Sequence, residues 1–141
     1  MGKRGLKPKG RVDATWRPEL AYAVGLITAD GSLSKNGRHI DFTSKDIDQL
    51  ETYKICLSVE YIKIVSKQSG CPHSGTYYRV QFGDVLFYQW LVERGLSPNK
   101  SNYIKMVDVP NEYFFDFVRG EWDGDGAIYC SEDKRWKIVL L

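Results

Sequence analysis

The chain has 141 residues, 43% hydrophobic and 27% charged, a balance that suits one folded domain and excludes a disordered chain, a coiled coil or a collagen. Its longest mostly apolar run, Ala21 to Ala29, falls far short of the roughly 20 residues a membrane span needs. The formal charge of +2 is unevenly divided: residues 1–11 hold Lys3, Arg4, Lys7, Lys9 and Arg11 and no acid, and the remaining 130 residues carry a net of −3.

A basic arm (residues 1–16) thus precedes a mildly acidic body. Such an arm either binds nucleic acid or is a solvated tail kept supple by Gly2, Gly5, Pro8 and Gly10. Cys56, Cys71 and Cys130 are odd in number and make no CxxC, so neither a disulfide framework nor a zinc ribbon is supported. The N-terminus lacks the basic, apolar, small order of a secretory signal. The expected setting is reduced and intracellular, not secreted.

Arg17-Pro18-Glu19 predicts a helix start, with proline and an acid in the first turn. From Leu20 to Ala29 the pattern is helical, and Ala21, Gly25 and Ala29 fall on one face. Small residues there let another backbone approach. The helix is expected to stop at Asp30-Gly31, with the glycine in a left-handed terminal position. Asn36-Gly37 predicts a hairpin turn. After it, Ile40 and Phe42 alternate with His39, Asp41 and Thr43, the pattern of a strand with one wet face.

Asp46 with Gln49 reads as a helix cap, followed by Ile47, Leu50, Tyr53, Lys54 and Leu57 at helical spacing. Strands are expected over Tyr61–Lys67 and Thr76–Phe82, the second with Tyr78, Val80 and Phe82 against Tyr77, Arg79 and Gln81. Asp84 caps a further helix that Gly95 ends. The order is helix, strand, strand, helix, strand, strand, helix: an α+β pattern, with an antiparallel sheet covered by helices. A second motif helix spans Asn111–Trp122, and Ala127–Tyr129 with Trp136–Leu141 opens another hairpin.

The two motif helices repeat. Val24-Gly25-Leu26-Ile27-Thr28-Ala29-Asp30-Gly31 aligns with Arg119-Gly120-Glu121-Trp122-Asp123-Gly124-Asp125-Gly126 at a spacing of 95 residues. Each helix places an aspartate, Asp30 or Asp125, near its C-terminal end. Two carboxylates brought close repel unless a cation lies between them, and helix C-termini also favour a cation. Oxygen ligands select magnesium over zinc. The EF-hand pattern fails after Asp123, because Ala127 and Lys134 fall where oxygen ligands are required. His39 and His73 read as surface residues.

These motifs, the element order, Phe42-Thr43-Ser44-Lys45-Asp46 and Gly95-Leu96-Ser97-Pro98-Asn99-Lys100 together resemble the LAGLIDADG homing endonuclease family across residues 17–141. The chain departs from the signature at Thr28, Glu121 and Trp122. The resemblance implies a homing-endonuclease-like αββαββα half over residues 17–107, then a second half over 108–141 truncated after its first hairpin. It implies Mg²⁺-dependent cleavage of both strands of duplex DNA, with Ca²⁺ as a non-catalytic substitute. Asp30 and Asp125 would be catalytic and metal-binding, with the Ala29 and Gly124 carbonyls beside the metals. Lys100 matches a basic residue that assists catalysis, and Ser44 a polar, water-positioning one.

On the sheet, the expected base-reading positions are Lys35, Arg38, His39, Asp41, Thr43, Lys63, Lys67, Tyr77, Arg79 and Gln81; the alternative is a merely solvated face. Ala21, Gly25 and Gly120 are the expected helix-packing residues. The truncation predicts exposed apolar surface on the second motif helix, hence a self-dimer through it or a fragment of a longer frame. The chain neither starts with Cys or Ser nor ends in His-Asn, so no complete intein is expected. The other class of function is a DNA- or RNA-binding protein on the same scaffold that does not cleave, such as an intron maturase or a transcription regulator.

Overall fold

Proline at the first position and an extended Arg17 open helix α1 (Pro18–Asp30), which runs through eight consecutive buried residues, Leu20 to Ile27. A helix buried all round lies between two layers, and α1 is the centre of this molecule. The computed structural model describes residues 10–68, 76–98, 107–130 and 136–140, and side chains for residues 10–67, 76–98 and 107–123.

The chain passes from α1 straight into strand β1 (Gly31–Leu33), turns, and returns as β2 (His39–Ser44). Gly37, at φ +82°, makes the turn, as the Asn-Gly pair predicts. Gly31 is not left-handed: it is extended (φ −87°, ψ 172°) and its N–H bonds the Ile27 carbonyl. Its glycine character is steric instead, because a Cβ there would lie 2.8 Å from Ile27 Cα and 3.0 Å from the Asp41 carbonyl oxygen.

Helix α2 (Ile47–Leu57) starts where the Asp46 carboxylate accepts from the Asp48 N–H at 2.9 Å. Gln49 takes no part in that cap; its amide reaches across to the Asp123 carbonyl at 2.7 Å. Strand β3 (Val65–Gln68) is shorter than the Tyr61–Lys67 expectation, and Lys63 precedes it. Strand β4 (Thr76–Gly83) and helix α3 (Val85–Glu93) follow. Gly95, at φ +114°, ends the turn after α3.

The four strands form one antiparallel sheet in the order β1-β2-β4-β3. Leu33 pairs with Ile40, Ile40 with Phe82 and Phe42 with Val80, so these five side chains share the buried face. They pack on Leu26, Leu50, Tyr53, Phe87 and Leu91, all essentially inaccessible. Phe42 and Tyr53 rings lie 4.6 Å apart. Each such side chain stabilises by about 1.5–3 kcal/mol on burial. The layer is α+β, with the helices on one side of the sheet.

A 3₁₀ turn (Asn111–Tyr113) leads into helix α4 (Phe114–Asp125), then strands β5 (Gly126–Cys130) and β6 (Trp136–Leu140), which pair antiparallel. The helix thus runs three residues past the expected Trp122. Trp16, just ahead of α1, stacks on Tyr113, just ahead of α4, at 6.2 Å and tilts against Trp90 at 5.0 Å. The two motif helices therefore start side by side. No helix among the described residues is long and apolar enough to cross a membrane.

Candidate nucleic-acid interface and helix-end site

α1 and α4 cross backbone to backbone at Gly25 and Gly120. A Cβ on Gly25 would overlap the Phe117 carbonyl oxygen and sit 2.9 Å from Gly120 Cα; one on Gly120 would overlap the Tyr22 carbonyl oxygen and sit 3.1 Å from Gly25 Cα. Tyr22 and Phe117 each stand three residues before their own glycine. The contact is thus its own mirror under a local two-fold relation, as the 95-residue repeat requires. Ala21, one turn earlier, is fully buried.

Because the helices start together at Trp16 and Tyr113 and meet again at the glycines, they run in the same general sense. Asp30 and Asp125 both stand five residues beyond the crossing, about 7.5 Å along each helix axis. Asp30 is exposed and Ala29 half-buried at the end of α1. Gly124 and Asp125 belong to the last turn of α4; the Asp125 side chain lies outside the described residues, as does Lys100. Thr28 Oγ1 donates to the Val24 carbonyl at 2.8 Å.

Asp123, which takes the place of Thr28 in the second motif, is held from α1. Its carboxylate accepts from Tyr22 Oη at 2.6 Å, while Gln49 holds its carbonyl. Burial, then the bond to Asp123, pushes the Tyr22 phenol well above its ordinary value. Arg119 lies over the Tyr22 ring at 4.8 Å. Neither tie from Tyr22 nor that from Gln49 is foreseeable from local patterns.

Among the described residues no three His, Cys, Asp or Glu side chains gather into a metal site. What the α1 end does offer is an exposed carboxylate beside helix-terminal carbonyls, all oxygen donors of the kind magnesium takes.

The open face of the sheet follows from the register. Asp41 pairs with Ser32 and Gln81, Thr43 with Arg79, Arg79 with Val65, and Lys67 with Tyr77. Paired residues point to one side, so His39, Asp41, Thr43, Lys67, Tyr77, Arg79 and Gln81 share a face with Ser32 and Val65, two positions the sequence reading omitted. Lys35 and Arg38 are exposed in the turn, and Lys63 is exposed in the loop before β3. Asp41 is the single acid among the strand residues of this face, and Arg79 Nε stands 3.9 Å from its carboxylate. Burial pushes the Asp41 carboxyl above its ordinary value; Arg79 and Gln81 oppose the shift.

Gly31 pairs with Phe42, so Asp30 lies at the Thr43 end of β2, at one corner of this face. Ser44 alternates away from the face, and its hydroxyl accepts from the Asp46 N–H at 3.0 Å, a local turn contact. His39 is half-buried and bonded to Asn36 at 2.7 Å; His73 lies outside the described residues.

Part of the arm is anchored. The Asp84 carboxylate, only 2% exposed, caps α3 through the Phe87 N–H at 2.9 Å and also accepts from the Arg11 and Val12 N–H groups at 2.6 and 3.0 Å. No family model matches the sequence, and no curated protein matches it.

Proposed function

We propose that this chain is a site-specific, divalent-metal-dependent endonuclease of double-stranded DNA built on the LAGLIDADG homing endonuclease plan, or a piece of one. The observation that carries the reading is the glycine-to-glycine crossing of two parallel motif helices, each with an aspartate five residues beyond the contact.

A magnesium ion held at such helix ends would supply an activated water and stabilise the leaving oxygen of a phosphodiester. Asp30 and Asp125 are the carboxylates that would hold it, with the Ala29 and Gly124 carbonyls beside them. The chain's own contribution is positional: Gly25 and Gly120 set the spacing of the helix ends, and Tyr22 and Gln49 fix the last turns of α4. The wet face of β1–β4 would lie in the major groove, where each base pair presents a distinct pattern of donors and acceptors. Its cations, with Lys35, Arg38 and Lys63 at the rim, favour a polyanion although the body as a whole is acidic.

The wet face alone would serve a second reading, a DNA- or RNA-binding protein that does not cleave: the side chains of Lys67, Arg79 and Gln81 on it need no metal to meet a nucleic acid.

Selection from a randomised duplex pool in Ca²⁺, followed by transfer of the winners to Mg²⁺, separates the readings. A selected site that is cut in Mg²⁺, and that Asp30→Asn binds but leaves whole, establishes the endonuclease. A site bound but never cut supports the second reading. No selected duplex counts against DNA recognition altogether.

A further inference from the structure

A groove of about 690 Å³ opens beside the His39–Gly83 pair, between the anchored strap at Gly10–Arg11, the β1–β2 turn and Tyr61. We infer that it is a phosphate-binding site for the nucleic-acid backbone, assembled when Asp84 locks the strap against the sheet. The inference rests on the DNA reading above and adds a contact region at the edge of the base-facing strands, where Arg38 and His39 meet the strap and Tyr61.

The groove is lined with donors. Arg11 reaches it because its own N–H, and that of Val12, are held by Asp84. Its guanidinium lies 5.7 Å from the Tyr61 ring centroid and donates to Tyr61 Oη at 3.3 Å. The Tyr61 hydroxyl, accepting from Arg11, keeps its own proton to give. Arg38 is exposed on the opposite wall.

His39 is a donor here for a reason that its neighbours dictate. Asn36 Oδ1 accepts from the Arg38 and His39 N–H groups at 3.0 and 3.2 Å. The other end of that side chain is therefore the amide nitrogen, 2.7 Å from His39 Nδ1. Nδ1 accepts, so the neutral ring carries its proton on Nε2, which lies 3.5 Å from where a Cβ on Gly83 would stand. The one acid in the lining, Asp84, has both oxygens committed to backbone N–H groups. Two guanidinium groups, an imidazole N–H and a phenol with no free acceptor acid suit a phosphodiester.

The location fits a backbone contact. The groove sits at the His39 end of β2, and Asp30 at the Thr43 end, about 13 Å away along the strand. It leaves the base-facing residues between them unobstructed.

The test uses the full chain in Ca²⁺, with the duplex recovered by selection, titrated by fluorescence anisotropy over a salt series. Arg11→Ala and Arg38→Ala alter exposed side chains and leave the strap N–H groups in place; matching thermal melts check that. Each variant is expected to weaken binding roughly tenfold and to lower the slope of log affinity against log salt by about one, and Arg11→Ala to leave base preference unchanged. Unchanged affinity and slope in both, while the wild type still selects its site, would overturn the groove and leave the DNA reading standing. A wild type that selects no duplex overturns both. If millimolar inorganic phosphate shifts the His39 ring resonances in such a protein, the groove takes free phosphate and not the DNA backbone.

Discussion

Gly25 and Gly120 meet where α1 and α4 cross, each with the direction of its missing Cβ aimed at the other's backbone. The positions are helical, and neither glycine has a positive φ. What they supply is proximity. Alanine at either site gains about 1 kcal/mol of helix propensity but meets rigid backbone, not a pliable side chain. Gly25→Ala and Gly120→Ala are each expected to destabilise by about 2 kcal/mol or more in urea unfolding. Gly25 and Gly120 should also couple in a double-mutant cycle, since the first substitution already parts the helices. Additive, sub-kcal effects would refute the contact.

That crossing was legible because it repeats: two glycines followed at the same distance by Asp-Gly announce a paired surface. The alternation of Ile40, Phe42, Val80 and Phe82 likewise announced the buried face, and its complement the wet one. What escaped was long-range. Asp84 reads as a simple cap, yet it ties down residues more than 70 positions earlier. Gln49 has the spacing of a capping box and serves α4 instead. Gly31 sits where a left-handed terminus is usual, but the helix runs directly into a strand and the residue must be small only because Ile27 and Asp41 crowd it. Lys63 fell off the sheet because β3 begins at Val65, four residues later than the expected start at Tyr61.

Phe115, Val118 and Trp122 on α4 stand 95 residues after Leu20, Ala23 and Ile27 on α1. The α1 set is buried under α2 and the sheet, whereas Phe115 is 84% exposed. Equivalent positions should therefore differ in energy. Leu20→Ala is expected to cost about 3 kcal/mol and Phe115→Ser within about 0.5 kcal/mol. An apolar helix face of this kind promotes association. Light scattering should give a mass above one chain for the wild type, falling toward one chain in Phe115→Ser. A wild-type mass of one chain at all concentrations would rule out the self-dimer.

Asp41 sits at a cost within the wet face. Its carboxyl is raised above the ordinary value of 3.8, chiefly by burial, with Arg79 pulling the other way. The native state therefore holds this proton more tightly than the unfolded chain, and stability from this group falls as pH rises above 3.8. Asp41→Asn is expected to be the more stable protein at neutral pH, by less than about 1 kcal/mol for a partly solvated pair, with the gap closing on acidification. The same change releases Arg79, so duplex binding should gain affinity and lose base discrimination where the pair reads. A variant less stable at neutral pH would contradict the sign.

Tyr22, three residues before Gly25, and Asp123, three residues after Gly120, join the two motif helices. Burial and the short bond to the Asp123 carboxylate both hold the Tyr22 proton. Because the folded phenol titrates above its ordinary value of 10.0, its contribution to stability is complete below that pH and is lost as alkali removes the proton. Tyr22→Phe keeps the ring under Arg119 and removes the donor, leaving the exposed Asp123 carboxylate to water; a loss of about 0.5–1.5 kcal/mol at neutral pH is expected. The variant should also lose part of the alkaline fall in melting temperature expected of the wild type above pH 10, the rest belonging to Tyr53 and Tyr88, whose phenols burial also raises. Since Gln49 still holds the Asp123 carbonyl, the end of α4 should stay docked in Tyr22→Phe and loosen only when Gln49→Ala is added. Hydrogen exchange in the last turn of α4 reads this directly: protection retained in the single variants and lost in the double one is the expected result, and loss in Tyr22→Phe alone would assign the whole anchorage to the tyrosine.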